Sequence, residues 1–267
     1  MAEAWTPELH RVDVAHGHMN VARTGEGPAV VLFHQTPRSW DEYRDVMPLL
    51  AARGYSAIAL DTPGFGESAP IPGEPSIQAW ARAAHEVLDA LEVGRCAVVG
   101  HHTGGSIAVE VAAQRPERVD ALVLSSTSLT DAEYRAMPID ESSVDAGHDA
   151  DSLRASRAGF YPGDRPDLLD RYVSDALNAG PLARAGHHVV GSYEMEHALD
   201  KLTMPVLLIG ATADPYAHPQ LERWQQALAH AEVVEIEGGM VPLPDGWPEQ
   251  FAAAVLDFLD RVHRIGL

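Results

Sequence analysis

The chain holds one cysteine, Cys96, too few for a disulfide. It opens an apolar run and reads as core in a reducing compartment. Basic residues are also scarce: 19 Lys and Arg stand against 39 Asp and Glu, a formal charge of -20 at pH 7. So acidic a surface repels phosphate backbones and anionic headgroups, which argues against nucleic-acid and membrane partners. No apolar run approaches the roughly 20 residues that span a bilayer. The start, Met1-Ala-Glu-Ala-Trp-Thr-Pro, lacks a basic segment followed by an apolar one, and a cytoplasmic location is expected. Fixed-period repeats, low-complexity tracts and the His-Glu-x-x-His or Cys/His spacings of metal sites are missing, so no metal and no cofactor are expected. The expected partner is a small-molecule substrate.

What is present is a long alternation. With 267 residues and 46% hydrophobic content the chain can bury a sizeable core. Short β-branched runs predict strands at 11–14, 19–23, 29–33, 56–60, 96–99, 121–124, 205–209 and 232–235. Amphipathic stretches predict helices at 40–53, 77–91, 105–114, 219–229 and 247–265. After a hairpin near Ala15-His16-Gly17-His18 this is a βαβ series, which gives an α/β fold whose parallel strands are buried on both faces. The stretch 127–202 breaks the rhythm with acidic clusters (Asp140-Glu141, Asp149-Ala150-Asp151), the turn Tyr161-Pro162-Gly163-Asp164 and helical patterns. It reads as a helical cap, dividing the chain into core 1–126, cap 127–202 and core 203–267. A cap there would cover the crevice at the carboxyl ends of the strands, where open α/β sheets bind ligands.

The most informative segment is Ala97-Val98-Val99-Gly100-His101-His102-Thr103-Gly104-Gly105. An apolar strand enters a Gly-x-x-x-Gly turn and leaves on a helix, so the middle residue, His102, sits on a tight corner where chemistry is expected. Three further motifs accompany it: Val30-Val31-Leu32-Phe33-His34-Gln35-Thr36-Pro37 with Trp40; Asp61-Thr62-Pro63-Gly64-Phe65-Gly66-Glu67-Ser68; and Leu207-Leu208-Ile209-Gly210-Ala211-Thr212-Ala213-Asp214-Pro215. In this order they resemble the α/β-hydrolase fold, capped type, over nearly the whole chain. The resemblance implies a mostly parallel eight-stranded sheet with helices on both faces and a helical cap insertion.

It also implies which positions carry the reaction. The nucleophile falls on His102, where relatives have serine; the acid falls on Asp214; the catalytic histidine falls on Met240, in Glu237-Gly238-Gly239-Met240-Val241-Pro242. A serine triad cannot be written, and the elbow aspartate of dehalogenases and epoxide hydrolases is also missing. An imidazole reaches farther from its Cα than a hydroxymethyl group, so His102 is expected to pair with Asp214 and to act as general base or as nucleophile, the base being preferred. The family's oxyanion hole maps to the backbone N–H groups of Thr36 and Thr103, with Gln35, where relatives have glycine, turning its amide to the ligand. Met240 is expected to keep the pocket dry, His187 to reach it from the cap, and His34 to brace the oxyanion loop or touch substrate.

Bland readings stand beside these. His101 packs behind the elbow; Ala213-Asp214-Pro215 caps the following helix; Asp61 ties its turn; Trp80, with Ala83 and Val87, is core. Ser106 packs against the sheet and the Thr103 side chain points away from the elbow. The expected activity is cofactor-free hydrolysis of a small ester, lactone or ketone-bearing compound. The alternatives are lyase or isomerase chemistry at the same site, or ligand binding without catalysis.

Overall fold

Eight short runs of mostly branched apolar residues pair into one sheet, in the order β1-β2-β4-β3-β5-β6-β7-β8. The computed structural model describes residues 5–137 and 149–265. The expected cluster Asp140-Glu141 lies outside them. The strands are β1 (Glu8–Val14), β2 (Gly17–Thr24), β3 (Ala29–Phe33), β4 (Ser56–Leu60), β5 (Cys96–His101), β6 (Val119–Ser125), β7 (Val206–Ala211) and β8 (Glu232–Ile236). The β1-β2 hairpin and the β2-β4 pair are antiparallel; every pair from β4 through β3 to β8 is parallel. All eight predicted strands form, each within a few residues of its expected bounds.

Period-two alternation sorts each central strand between two cores. Val31, Phe33 and Val98 pack with Trp80, Val87 and Ile107 on one face; Val30, Leu32, Ala97 and Val99 pack with Met47, Phe251 and Phe258 on the other. The covering helices are α1 (Met47–Ala52), α2 (Ile77–Ala90) and α3 (Thr103–Gln114) in the first half of the chain. Between β6 and β7 come α4 (Ala132–Ala136), α5 (Ala150–Arg157), α6 (Pro166–Ala179), α7 (Leu182–Gly191) and α8 (Glu196–Leu199). After β7 come α9 (Leu221–Ala227), α10 (Leu243–Gly246) and α11 (Pro248–Ile265).

Two predicted helices are shorter than their hydrophobic patterns. The expected 40–53 helix divides into a 3-10 turn, Trp40–Tyr43, and α1, where Pro48 in the first turn lacks the N–H that continuation would use. The 219–229 stretch likewise becomes a 3-10 turn, His218–Gln220, followed by α9.

The helices between β6 and β7 have their own small core of Leu153, Leu168, Tyr172 and Val173. Charged groups fasten them to the sheet. Arg38, fully buried in the loop after β3, holds Asp175 of α6 at 2.8 Å and also bonds Asp245 of α10. Arg171 of α6 bonds Asp41 at 2.5 Å, and Asn178 donates to the Gly66 carbonyl at 2.7 Å.

Candidate functional site

The corner between β5 and α3 is built around His102, whose φ of 49° and ψ of -119° lie outside the comfortable range of L-residues. Such a conformation costs on the order of 1–3 kcal/mol and persists only where surroundings impose it. Here the His102 N–H donates to Ser125 O and the His102 carbonyl accepts from Gly105 N, both at 2.9 Å. The flanking glycines are steric requirements: a Cβ on Gly100 would sit 2.4 Å from Gly104 O, and one on Gly104 2.1 Å from Phe33 O. Without side chains there, α3 starts directly against β3 and β5.

Across the sheet edge the loop after β7 delivers Asp214, and His102 Nε2 lies 2.8 Å from its Oδ2. The other carboxylate oxygen accepts the Tyr216 and Ala217 N–H groups at 2.9 and 3.0 Å. The capping reading and the pairing reading of Asp214 are thus both realised, one oxygen each. Burial pushes this carboxyl up, but the His102 ring and the two amides outweigh it and bring it down to about 2. An ionised carboxylate has no proton to give, so Nε2–H donates and the ring's lone pair rests on Nδ1.

The adjacent ring has an opposite setting. His101 is fully buried, with Nε2 donating to Val241 O at 2.7 Å and Nδ1 3.1 Å from Ser125 Oγ. Burial, with the neighbouring His102, depresses it to about 3. It is a neutral brace between the elbow and the last loop.

Three expected site residues are placed differently from expectation, while His34 is the brace that was expected. Gln35 lines the cavity, but its amide is engaged by Glu42: Nε2 donates to Glu42 Oε1 at 2.6 Å and the backbone N–H to Oε2 at 2.8 Å. The acceptor is Glu42, a fully buried carboxyl that burial raises to about 8 and for which the Gln35 backbone and side-chain N–H groups are the hydrogen-bond donors. His34 is a brace, accepting the Thr62 N–H at 2.9 Å and donating to Gln35 O at 2.8 Å, and burial lowers it to about 4. Met240 is half-buried in the loop after β8, where the neighbouring Val241 lines the cavity. Thr103 does not leave its hydroxyl idle: Oγ1 accepts the Thr36 N–H at 2.5 Å. One of the two expected oxyanion donors is therefore already engaged, and the hydroxyl's own proton is left for another acceptor.

These groups surround a cavity of about 440 Å³. His102, Thr36 and Thr103 form its floor, and Arg157 of α5 with His187 of α7 stand in its wall. Ser106, buried on α3, also borders it, with a hydroxyl that has no hydrogen-bond partner among the described residues. Sequence reasoning passed over Arg157, Glu42 and the Thr103 hydroxyl. Arg157 in an Arg-Ala-Ser-Arg stretch looks like solvated helix surface; nearby in sequence only Phe160, three positions on, hints at its burial, and Tyr172, the second ring against it, is fifteen positions on. Asp61 ties its turn as expected, accepting from Glu67 N, Trp40 N and Asn20 Nδ2, and Trp80 is core.

The family profile described as alpha/beta hydrolase fold matches residues 28–245. Epoxide hydrolase 2 of Siraitia grosvenorii is 38% identical over 108 residues, or 40% of this chain and 34% of that protein. The chain thus spans well under half of the curated relatives it matches. An enol-lactonase from Burkholderia xenovorans LB400 superimposes with a TM-score of 0.79 at 18% identity, over 94% of this chain and 100% of that one. A bromoperoxidase from Bacillus anthracis does so with 0.81 at 21% identity, over 95% and 100%. At such identities the structures share the fold. No helix among the described residues is long and apolar enough to cross a membrane.

Proposed function

This chain belongs to the α/β-hydrolase fold family, and from its altered elbow we propose a cofactor-free hydrolase of a small ester, lactone or ketone-bearing compound that uses His102 as general base. The observation that carries the reading is the 2.8 Å bond between His102 Nε2 and Asp214 Oδ2. It orients the ring, fixes its tautomer and stabilises the imidazolium that forms when Nδ1 takes a proton. Nδ1 is flanked by the ring's own Cβ, so attack by it on an acyl carbon is more crowded than proton abstraction from water. Base catalysis is favoured over an acyl-imidazole for that reason. The helices between β6 and β7 serve as the cap, bringing Arg157 and His187 over the base.

Charge that develops on the carbonyl oxygen falls to Thr103, through its N–H at the start of α3 and its hydroxyl proton. The engagement of Thr36 N by Thr103 Oγ1 favours one second reading. A reaction that forms only a delocalised enolate, such as elimination or isomerisation, asks less of an oxyanion hole than a tetrahedral adduct does.

A panel of activated esters tests the proposal. His102→Ala is expected to lower kcat by about 100-fold or more, the range that a positioned base contributes. Asp214→Asn is expected to lower it by a comparable or larger factor, because an amide donating to Nε2 holds the ring in the tautomer that carries its proton on Nδ1 and so removes the base. Equal turnover by wild type and His102→Ala removes His102 from the mechanism. A ligand that binds tightly and is recovered unchanged supports binding without catalysis.

A further inference from the structure

The floor of the cavity is one oxyanion donor short. The Thr36 N–H, the second of the two expected donors, already donates to Thr103 Oγ1 at 2.5 Å. A tetrahedral adduct puts a full negative charge on one oxygen, and Thr103 by itself leaves part of that charge unmet. A further donor has to come from outside the floor, and the element that rests on this loop is α7.

A Cβ on Gly186 of α7 would stand 2.9 Å from Thr36 Cγ2 and 3.2 Å from Thr36 Oγ1, so the helix backbone lies directly against that side chain. The next residue, His187, lines the cavity together with Thr36, His102 and Thr103. Its Nε2 is closed off from solvent and has no hydrogen-bond partner among the described residues. A buried polar nitrogen without a partner costs on the order of 1–3 kcal/mol, and it marks a place that a ligand's polar group completes. His188, by contrast, is exposed.

The charge state of the ring suits the same task. Burial is the leading cause that lowers His187 to about 3, and the nearby His102 adds to the shift, so the ring is neutral. A neutral imidazole has one N–H and one lone pair, and facing negative charge it takes the tautomer that puts the proton forward. Such a ring polarises a carbonyl while keeping its proton. Neutrality also spares the base: a cation in the wall would oppose the imidazolium that forms on His102, whereas an uncharged donor does not.

We propose, resting on the hydrolytic reading above, that His187 Nε2–H is the second oxyanion donor, in place of the engaged Thr36 N–H. Water adds to the carbonyl carbon as its proton passes to His102 Nδ1, and the carbonyl π pair moves onto oxygen. That oxygen is held between Thr103 and His187. The adduct then expels the leaving oxygen, which recovers the proton from His102, and His187 keeps its own throughout.

The turnover of para-nitrophenyl acetate and the binding of two unreactive analogues test the proposal. One analogue, the mono-para-nitrophenyl ester of methylphosphonic acid, is tetrahedral and anionic; the other, 4-nitroacetanilide, is planar and uncharged. In His187→Leu, kcat is expected to fall by about 10- to 100-fold with KM little changed. Isothermal titration calorimetry is expected to show the phosphonate weakened at least tenfold and the anilide less than threefold. His187→Gln, which returns an amide N–H, is expected to recover most of both losses. Circular dichroism checks folding, and His187→Met replaces the Leu variant if that one does not fold. Equal weakening of the two analogues, unchanged phosphonate binding, or no phosphonate binding to wild type at millimolar concentration overturns the proposal. Turnover that depends on His102 and survives His187→Leu keeps hydrolysis and removes this donor. Phosphonate preference that His187→Leu abolishes, in a protein that turns over no ester, keeps the donor and removes hydrolysis.

Discussion

The floor of the cavity and its wall are held in place by different physics. The floor is backbone against backbone: β5, the His102 corner and the first turn of α3 approach so closely that Gly100 and Gly104 have no room for a Cβ. The wall, α5 to α7, is held by ion pairs and side-chain hydrogen bonds to the core domain, by a small core of its own, and by Ala179, Ala183 and Val190, which join the main core. His102, the proposed base, therefore stands on close backbone packing, while much of the cavity wall is joined to the rest of the protein through side chains. Under the proposed roles, such a division lets ligand choice change with little disturbance of proton transfer.

The sharpest way to break the comparison is to add one methyl group to each region. In Gly104→Ala the new Cβ meets Phe33 O at 2.1 Å and His34 O at 2.6 Å, both backbone atoms that cannot step aside. A loss above about 4 kcal/mol is expected, enough to unfold a domain of ordinary stability. In Gly159→Ala, within the wall, a Cβ meets nothing within 4 Å, and a change within about 0.5 kcal/mol is expected. Urea unfolding of the two variants checks the contrast; similar losses would mean that floor and wall are equally close-packed.

The same division decided what was legible in the sequence. Strands β3 to β7 showed plainly because double-sided burial demands unbroken apolar runs, and the elbow showed because its glycines are sterically obligatory. The pairing of His102 with Asp214 was readable from side-chain reach along a familiar topology. The wall was not readable in detail, because an arginine that bonds Tyr172 and one that faces solvent are the same letter. Gln35 misled because nothing local reveals Glu42, seven residues on, as the buried acceptor that claims both its donors. Met240 misled by a single step of the chain, since Val241 takes the place in the cavity lining.

A second test concerns the seam of the floor, where Thr103 Oγ1 accepts the Thr36 N–H. Thr103→Val keeps shape and removes both the acceptor and the hydroxyl proton. Stability is expected to fall by about 1–3 kcal/mol, the cost of an unpaired buried N–H. The kcat for an activated ester is expected to fall by about 10- to 100-fold with KM little changed, as when one oxyanion donor is lost. Thr103→Ser restores the hydroxyl and should recover most of both. A Val variant with wild-type kcat would show that the hydroxyl only holds the loop.

The smallest expected effect is a slope. His34 and His85 are lowered to about 4, and His101 and His187 to about 3, from an ordinary 6.5, burial being the leading cause for each. As pH falls below 6.5 the unfolded chain protonates these rings while the folded chain leaves them neutral, so protons favour the unfolded state and stability falls toward pH 4. Glu42, raised to about 8, and Asp61, raised to about 6, act in the opposite sense and reduce the net slope. Asp214, lowered to about 2, adds its loss only below the ordinary carboxyl value of 3.8. Replacing one depressed ring removes about one proton, or about 1.4 kcal/mol per pH unit, from the slope between pH 6 and 4.5. His85→Leu, under the sheet, and His187→Leu, in the wall, are expected to flatten it equally. If His187→Leu leaves the slope unchanged while His85→Leu flattens it, the wall opens enough at low pH for its ring to protonate, and the wall differs in dynamics from the helix layer under the sheet.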